Sequence, residues 1–540
     1  MLNYIWVALL FLGIGAAVYT DIINKNDNKY RNNVPLTVTI QSDSVFFNKP
    51  RKNNSVTIII TKVNYNKFYD DKTDHDLSFA SDITYIEKSH QYSIHFVIDK
   101  NFPQTLKDIA SSSGDKNDIS GTLVLRKLLN DTSAVAGLIF EDINFLKLKD
   151  ITNAALDYAG IAVNIALGLI GVLALWLGIM KIAESAGLIS KLASLLKPLT
   201  RRVFPDVPPD HPAMGAMIMN MSANMLGLGN AATPFGLKAM EELDTLNPEK
   251  GTATNAMITF LAINTAGMTL IPASAIAIRA ASGSSDPAII IGTSIFGSFC
   301  ATVAGILSAK LLQNVSLGAK RWYRDNIKLL IAIMIITVII VSFALVPGMK
   351  NIGSIFGFLK LSLIKDIIQF FSIIAIPLLI VFFVGYGVFK KVKVYEQFVE
   401  GAKEGFTIAI RILPYLVAML VAIGIFRAGG AMQWLITILT PVTNLIGMPA
   451  EALPMALMRP LSGSGSLGVM SEILKVHGPD SFIGILVSTF FGSTETTFYV
   501  LAVYFGAVNI KNTRHAVPVG LIADVCGILG ALFIVKLLFS

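Results

Sequence analysis

Apolar residues form two kinds of run along this chain. Within residues 21–150 the runs are short and alternate with polar positions, as in 36–40 (LTVTI), 56–60 (VTIII), 93–98 (SIHFVI) and 122–125 (TLVL). A period of two, broken by Asn, Asp, Ser and Gly clusters, predicts antiparallel strands with one buried face. The segment is large enough for a modest core of its own. From residue 154 onward the runs reach membrane-spanning length, near 156–183, 255–281, 287–312, 326–348, 366–390, 406–427, 481–506 and 513–539. Two stretches between them, 208–243 and 449–476, are too broken by Gly, Pro and polar residues to be ordinary spans. Each follows an amphipathic stretch, 187–203 or 430–447. A shorter apolar run at 5–19 has no Lys or Arg before it and no small-x-small cleavage site before Thr20, which favours an uncleaved helix over a signal peptide.

Composition fits a polytopic α-helical membrane protein, with 53% hydrophobic and 15% charged residues and a mean hydropathy of +0.63. Cys300 and Cys526 lie inside apolar runs and read as small buried side chains, not as a disulfide or metal pair. The net charge of +8 comes with basic residues flanking the spans, so it reports topology and no nucleic-acid partner is expected.

The order of elements after residue 154 occurs twice. A span leads to a Gly, an amphipathic helix and a Pro, with Gly187 and Pro198 spaced like Gly430 and Pro441. A small-residue turn follows, 227–234 (GLGNAATP) and then 462–466 (SGSGS). Next comes a span with polar residues early in it, 264–269 (NTAGMT) and 493–497 (STETT), and one more apolar helix closes each copy. Basic clusters lie at Lys181 to Arg202, Lys310 to Lys328, Lys390 to Lys403, and Lys511 with Arg514. Placing all four in the cytoplasm puts the N-terminus inside and residues 21–150 outside, and makes the two copies antiparallel. The expected architecture is therefore an N-terminal transmembrane helix at 1–20, a small extracytoplasmic β domain at 21–150, and two inverted repeats at 151–315 and 316–540. Each repeat carries an amphipathic helix and a re-entrant or broken hairpin. Interruptions at matching places in inverted repeats point to a midplane binding site of the transporter kind.

Polar groups at membrane depth need a reason. Asn220, Asn224, Asn230 and Thr233 surround the first broken turn, and Ser462, Ser464 and Ser466 the second. Asn264, Thr265 and Thr269 would face them, as would Ser493, Thr494, Glu495, Thr496 and Thr497. Half-helix ends there offer free N–H groups to a polar or anionic ligand, although Ser and Thr also serve as interhelical glue. Glu495 is the sharpest candidate, able to bind a proton or Na⁺ or to hydrogen-bond a solute, with Arg459 as its counter-charge or an anchor for an anion. Asp524 and Arg411 are weaker candidates, and Arg279, near a span end, is expected to snorkel. The six histidines show no metal spacing and no nucleophile–base pair, so no enzyme and no cofactor beyond a coupling ion is expected.

Longer strings carry a family resemblance. Residues 204–215 (FPDVPPDHPAMG), 220–224 (NMSAN), 227–234 and 238–240 (KAM) resemble spore maturation protein A. Residues 395–405 (YEQFVEGAKEG), 459–465 (RPLSGSG), 478–484 (GPDSFIG) and 492–499 (GSTETTFY) resemble spore maturation protein B. The likeness covers the first helix and nearly everything after residue 154. It implies the nucleoside-recognition, or Gate, group, which includes segments of nucleoside and ferrous-iron transporters, and a role in dehydrating the spore core in spore formers. The chain departs from that pattern in fusing the two proteins and in carrying the segment 21–150. The resulting expectation is an inner-membrane transport-type protein moving a small polar or anionic solute, nucleoside-like or envelope-precursor-like. The alternative is a non-transporting scaffold that engages an envelope protein or lipid through 21–150. Gly-rich spans such as 161–178 can pack within the chain or against a second copy.

Overall fold

A computed structural model describes residues 2–42, 53–86, 91–99, 101–112, 118–227, 229–313 and 361–539. The chain divides into two compact units, one of Leu9–Ala155 with Gly424–Met432, the other of Met1–Ala8, Leu156–Ile423 and Gln433–Ser540.

Helix α1 (Leu2–Asn26) precedes a β domain whose six strands are β1 (Leu36–Gln41), β2 (Asn53–Ile60), β3 (Leu77–Ile86), β4 (Gln91–Val97), β5 (Asp118–Asn130) and β6 (Ser133–Phe140). Each strand runs antiparallel to the next, and β6 returns to β1 with Leu138 opposite Leu36, closing a barrel. Closure removes the open edges that a small sheet would otherwise present. Leu36, Val38 and Ile40 point inward while Thr37 and Thr39 stay half-exposed, so the alternation read in the sequence is the inside-outside pattern of the barrel. Burying side chains such as Ile58, Leu123 and Leu138 contributes roughly 1.5–3 kcal/mol each relative to exposure. Four strands are legible in the sequence; β3 and β6 are not. In β3 the inward series is interrupted by buried Ser81, whose hydroxyl donates to the His95 carbonyl at 2.9 Å. In β6 the inward positions include Ala134 and Ala136, weak strand formers that barrel packing retains. Helices α2 (Lys62–Phe68) and α3 (Gln104–Ser112) are joined by Asp71, which accepts from the Tyr65 hydroxyl at 3.0 Å and from the Thr105 hydroxyl at 2.8 Å. Burial and the Asp71 charge push the Tyr65 phenol above its ordinary range.

The membrane repeats read as two matched series. The first is α4 (Leu146–Ser185), α5 (Leu188–Val203), α6 (Pro212–Met225), α7 (Gly229–Thr245), α8 (Asn255–Ala266), α9 (Ala273–Ala281) and α10 (Ile290–Leu312). After α11 (Leu361–Phe389) the second is α12 (Val394–Ala428), α13 (Ala431–Ile446), α14 (Leu453–Met458), α15 (Gly463–His477), α16 (Phe482–Ser493), α17 (Thr497–Ala507) and α18 (Ala516–Phe539). Among the described residues five helices are long and apolar enough to cross a membrane: Asn3–Asn26, Leu146–Ser185, Pro287–Leu312, Val394–Ala428 and Ala516–Phe539. The chain is thus a multi-pass α-helical membrane protein with a small β-barrel domain.

Local chemistry repeats with the elements. Helices α5 and α13 are both 16 residues long and start after glycines in the left-handed region, Gly187 at φ 79° and Gly430 at φ 91°. Helices α8 and α16 are both 12 residues long, and the hydroxyls of their N-caps Thr254 and Ser481 accept from the N–H three residues on. Packing exchanges between halves in the same way: α8 lies on α18 and α16 on α10, α8 touches α17 and α16 touches α9, and α10 packs on α18.

Two expectations change. The spans at 255–281 and 481–506 are each two helices, broken at 267–272 and 494–496. Gly267, at φ 56°, and Pro272 end one helix and start the next, while Thr494 and Thr496 are extended. The polar residues therefore sit at the breaks, where freed backbone groups need partners. Arg279 does not snorkel. It is 0% exposed and donates to Asp480 Oδ1 at 2.9 Å and to the Asp286 carbonyl at 3.2 Å, with further bonds to Ser284 and the Pro479 carbonyl. Gly178 packs within the chain, against Phe398 of α12, and Gly401 against Leu177 of α4. The span expected at 326–348 lies outside the described residues.

Candidate functional site

The two helix breaks meet. The Glu495 N–H donates to the Thr265 carbonyl at 2.8 Å, so a backbone group freed in the second repeat is satisfied by one freed in the first. Gly267 makes this approach possible, because a Cβ there would stand 2.7 Å from Glu495 Cγ. Nearby, the Leu270 N–H donates to the Met225 carbonyl at 2.8 Å, tying the first break to the hairpin of α6 and α7.

Between the breaks lies a pocket of about 120 Å³. Asn224, Gly227, Gly267, Thr269 and the start of α9 (Pro272, Ala273, Ser274) line one side; Arg459, Phe491, Thr494 and Glu495 line the other. Arg459 is 3% exposed. Its Nη2 donates to the Thr494 carbonyl and stands 3.7 Å from Glu495 Oε2, and its guanidinium lies 4.4 Å from the Phe491 ring centroid. Its Nε has no hydrogen-bond partner among the described residues. The Glu495 side chain is 53% exposed, so this carboxylate and buried guanidinium face each other without a direct hydrogen bond.

Behind the pocket runs a chain of neutral donors and acceptors. Asn224 Nδ2 donates to Asn264 Oδ1 at 2.9 Å, and the Tyr504 hydroxyl donates to the same oxygen at 3.3 Å. Asn220 Nδ2 donates to the Tyr504 hydroxyl at 3.1 Å and to the Ala232 carbonyl at 2.8 Å. Tyr504 belongs to α17, so a residue of the second repeat ties together the amides of the first. Gly236 makes room for it, because a Cβ at that position would collide with the Tyr504 hydroxyl. On the other flank Thr497 donates to Asp524 Oδ2 at 2.5 Å. The second Asp524 oxygen has no hydrogen-bond partner among the described residues, and the carboxyl lies within electrostatic reach of Arg459 and Glu495.

A family model described as nucleoside recognition, or Gate, matches the chain twice, over residues 166–282 and 409–511. Spore maturation protein B of Bacillus subtilis (strain 168) is 52% identical over 175 residues, 32% of this chain and 98% of that protein. Spore maturation protein A of the same strain is 46% identical over 173 residues, 32% of this chain and 88% of that protein. The chain belongs to the Gate family. Inner membrane protein YjiG of Escherichia coli (strain K12) is also similar, 36% identical over 81 residues, 15% of this chain and 53% of that protein. No solved structure matches. Neither Gate match includes the barrel, so the duplicated Gate unit is the membrane part alone.

Within the Gate repeats, the residues expected at a site separate into groups. Asn224, Thr269, Arg459, Thr494 and Glu495 line the pocket. Asn220 and Asn264 stand behind it in the amide chain, and Thr265 meets it through its carbonyl. The serines are engaged with helix backbone. Ser462 Oγ accepts from the Gly465 N–H at 2.9 Å as N-cap of α15, Ser466 donates to the Ser462 carbonyl at 2.7 Å, and Ser493 to the Thr489 carbonyl at 2.6 Å. Ser464 Oγ stands 3.4 Å from Ser462 Oγ. Thr496 is the buried N-cap of α17, and Thr497 is held by Asp524. Thr233 is half-buried near the start of α7, and the Asn230 side chain lies outside the described residues. Tyr504 and Phe491 are new here; a hydroxyl-bearing aromatic in an apolar run is the signal that could have found the first.

Proposed function

We propose that this Gate-family membrane protein is of the transport type and acts in the inner membrane of a bacterium without being an enzyme. Two inverted repeats hold one polar solute between their helix breaks and expose it alternately to the two sides. The observation that carries this reading is the pocket itself, where half-helix ends from both copies converge on Arg459 and Glu495. Breaks at matching positions in duplicated halves are the form taken by membrane solute sites. The exchanged packing of α8, α10, α16 and α18 supports a two-fold relation between the copies. In an inverted pair, Ser194→Cys on α5 and Thr437→Cys on α13 take an impermeant label from opposite faces.

The favoured solute is small and polar or anionic. The pocket of about 120 Å³, with the Arg459 guanidinium in its wall, favours a small anion or a headgroup. An anion reaching Arg459 displaces Glu495, which is then free to take a proton or Na⁺ and so couple the two movements. The test is thermal melting of the purified protein against small acids, phosphates and nucleosides, repeated on Glu495→Gln. A ligand bound only by the folded state raises the melting point with concentration. A response that Glu495→Gln removes is the expected result. A flat panel together with an intact cellular role in Glu495→Gln contradicts it and favours the scaffold acting through residues 21–150.

A further inference from the structure

An apolar cavity of about 490 Å³ adjoins the polar pocket. Its walls include Leu188 and Leu192 of α5, Gly292 of α10, and Leu379 and Phe383 of α11. Ile271 lines both spaces. Leu226 and Leu270 face the apolar one, while their chain neighbours Gly227 and Thr269 face the polar one. The turn at 226–227 and the non-helical stretch 269–272 thus carry residues that line both an apolar space and the pocket of the buried guanidinium.

The polar side is built for an anion. Helix α9 begins in it, and Pro272 at its N-cap supplies no side-chain bond to the first-turn N–H groups. Arg459 lines the same pocket, 3% exposed and with Nε unpartnered among the described residues. A buried, under-satisfied guanidinium beside a helix N-terminus matches a phosphate oxyanion. The apolar side offers nothing to a polar occupant, which would lose its hydrogen bonds there.

We propose that the ligand is an anionic amphiphile taken from the bilayer, a lipid with a phosphate headgroup. The headgroup sits at Arg459 and the start of α9, and the hydrocarbon tail fills the cavity between α5, α10 and α11. This rests on the reading of the polar pocket as the solute site and adds the class of solute. A free small anion would make no use of the apolar cavity beside the pocket.

The test uses the full chain in neutral detergent, with its melting point followed against inorganic phosphate, butyl phosphate, dodecyl phosphate and dodecanol. Gly292→Leu is the decisive variant. Gly292 lines the cavity, a Cβ there meets nothing within 4 Å, and leucine favours a helix over glycine, so the variant adds side-chain volume on the cavity wall. In the unaltered protein dodecyl phosphate is expected to act at a concentration at least about tenfold below butyl phosphate and dodecanol, since affinity grows with each buried CH₂. Gly292→Leu should reduce the advantage over butyl phosphate to less than about threefold, leave the response to inorganic phosphate, and melt no lower than the unaltered protein. A tail advantage that survives Gly292→Leu overturns the proposal, and so does a dodecanol response equal to that of dodecyl phosphate. Responses to inorganic and butyl phosphate with no gain from the longer tail refute the amphiphile while the polar-solute reading stands. No response to any ligand, here or in the wider panel, removes both.

Discussion

The two Gate repeats bring different chemistry to the same pocket. The first supplies amides already bonded, Asn224 to Asn264 and Asn220 to the Tyr504 hydroxyl that the second repeat lends. The second supplies charge, Arg459 and Glu495 at 3.7 Å and Asp524 behind them. A neutral network of this kind fixes shape, because moving a member leaves a buried group unpaired. Charges held just beyond hydrogen-bond distance are instead free to bond to something that arrives. The charged groups of the pocket thus come from the second copy, while most of the neutral network comes from the first.

The largest expected effect is at the contact that joins the two copies, Arg279 of α9 with Asp480 just before α16. Arg279→Ala leaves Asp480, with its partners Ser284 and Ser285, without its counter-charge; because the Asp480 side chain is 42% exposed, the cost falls short of the about 3–5 kcal/mol of a fully buried pair. Melting in detergent should fall by several degrees. Burial opposes ionisation of Asp480, but the bonds from Ser284 and Ser285 and the Arg279 charge outweigh it and hold this loop carboxyl below its usual range. A depressed carboxyl stabilises above its unfolded value of about 3.9 and loses that contribution as pH falls through the folded value. Melting of the native protein should therefore drop on acidification below about pH 4, and more steeply than that of Asp480→Asn.

Next comes the pocket. Losing a hydrogen bond from a charged group costs about 1.5–3 kcal/mol, so Arg459→Gln should weaken ligand binding by about ten- to a hundredfold. Asn224→Ala, on the neutral side, should cost about 1 kcal/mol, roughly fivefold. The reverse order would break the division of labour. Gly267→Ala places a methyl against Glu495 and forces an L-residue into the left-handed region, at about 1–2 kcal/mol. Its ligand affinity should fall by less than that of Arg459→Gln.

Much of this arrangement was legible in the sequence. The duplicated order, the glycines before α5 and α13, the two broken hairpins and the Glu495–Arg459 pairing all follow from composition and spacing. The breaks within 255–281 and 481–506 were hidden because their short polar stretches lie inside long apolar runs, and hydropathy does not register a few non-helical residues there. Serine-rich 462–466 looked like a ligand cradle, but Ser462 caps a helix and Ser466 bonds back along it, which is what short hydroxyls do where no other partner is near. Tyr504 was missed because an aromatic in a span reads as packing until its hydroxyl is seen to join Asn220 and Asn264.

The most direct test of the central claim is side-specific access to the pocket. Thr269→Cys, in a chain with Cys300 and Cys526 replaced by alanine, would be labelled in sealed, oriented vesicles with an impermeant maleimide added to one face or the other. Alternating access predicts labelling from both faces, with the ligand shifting the balance between them. Labelling from one face alone under every condition, or from neither, would contradict it.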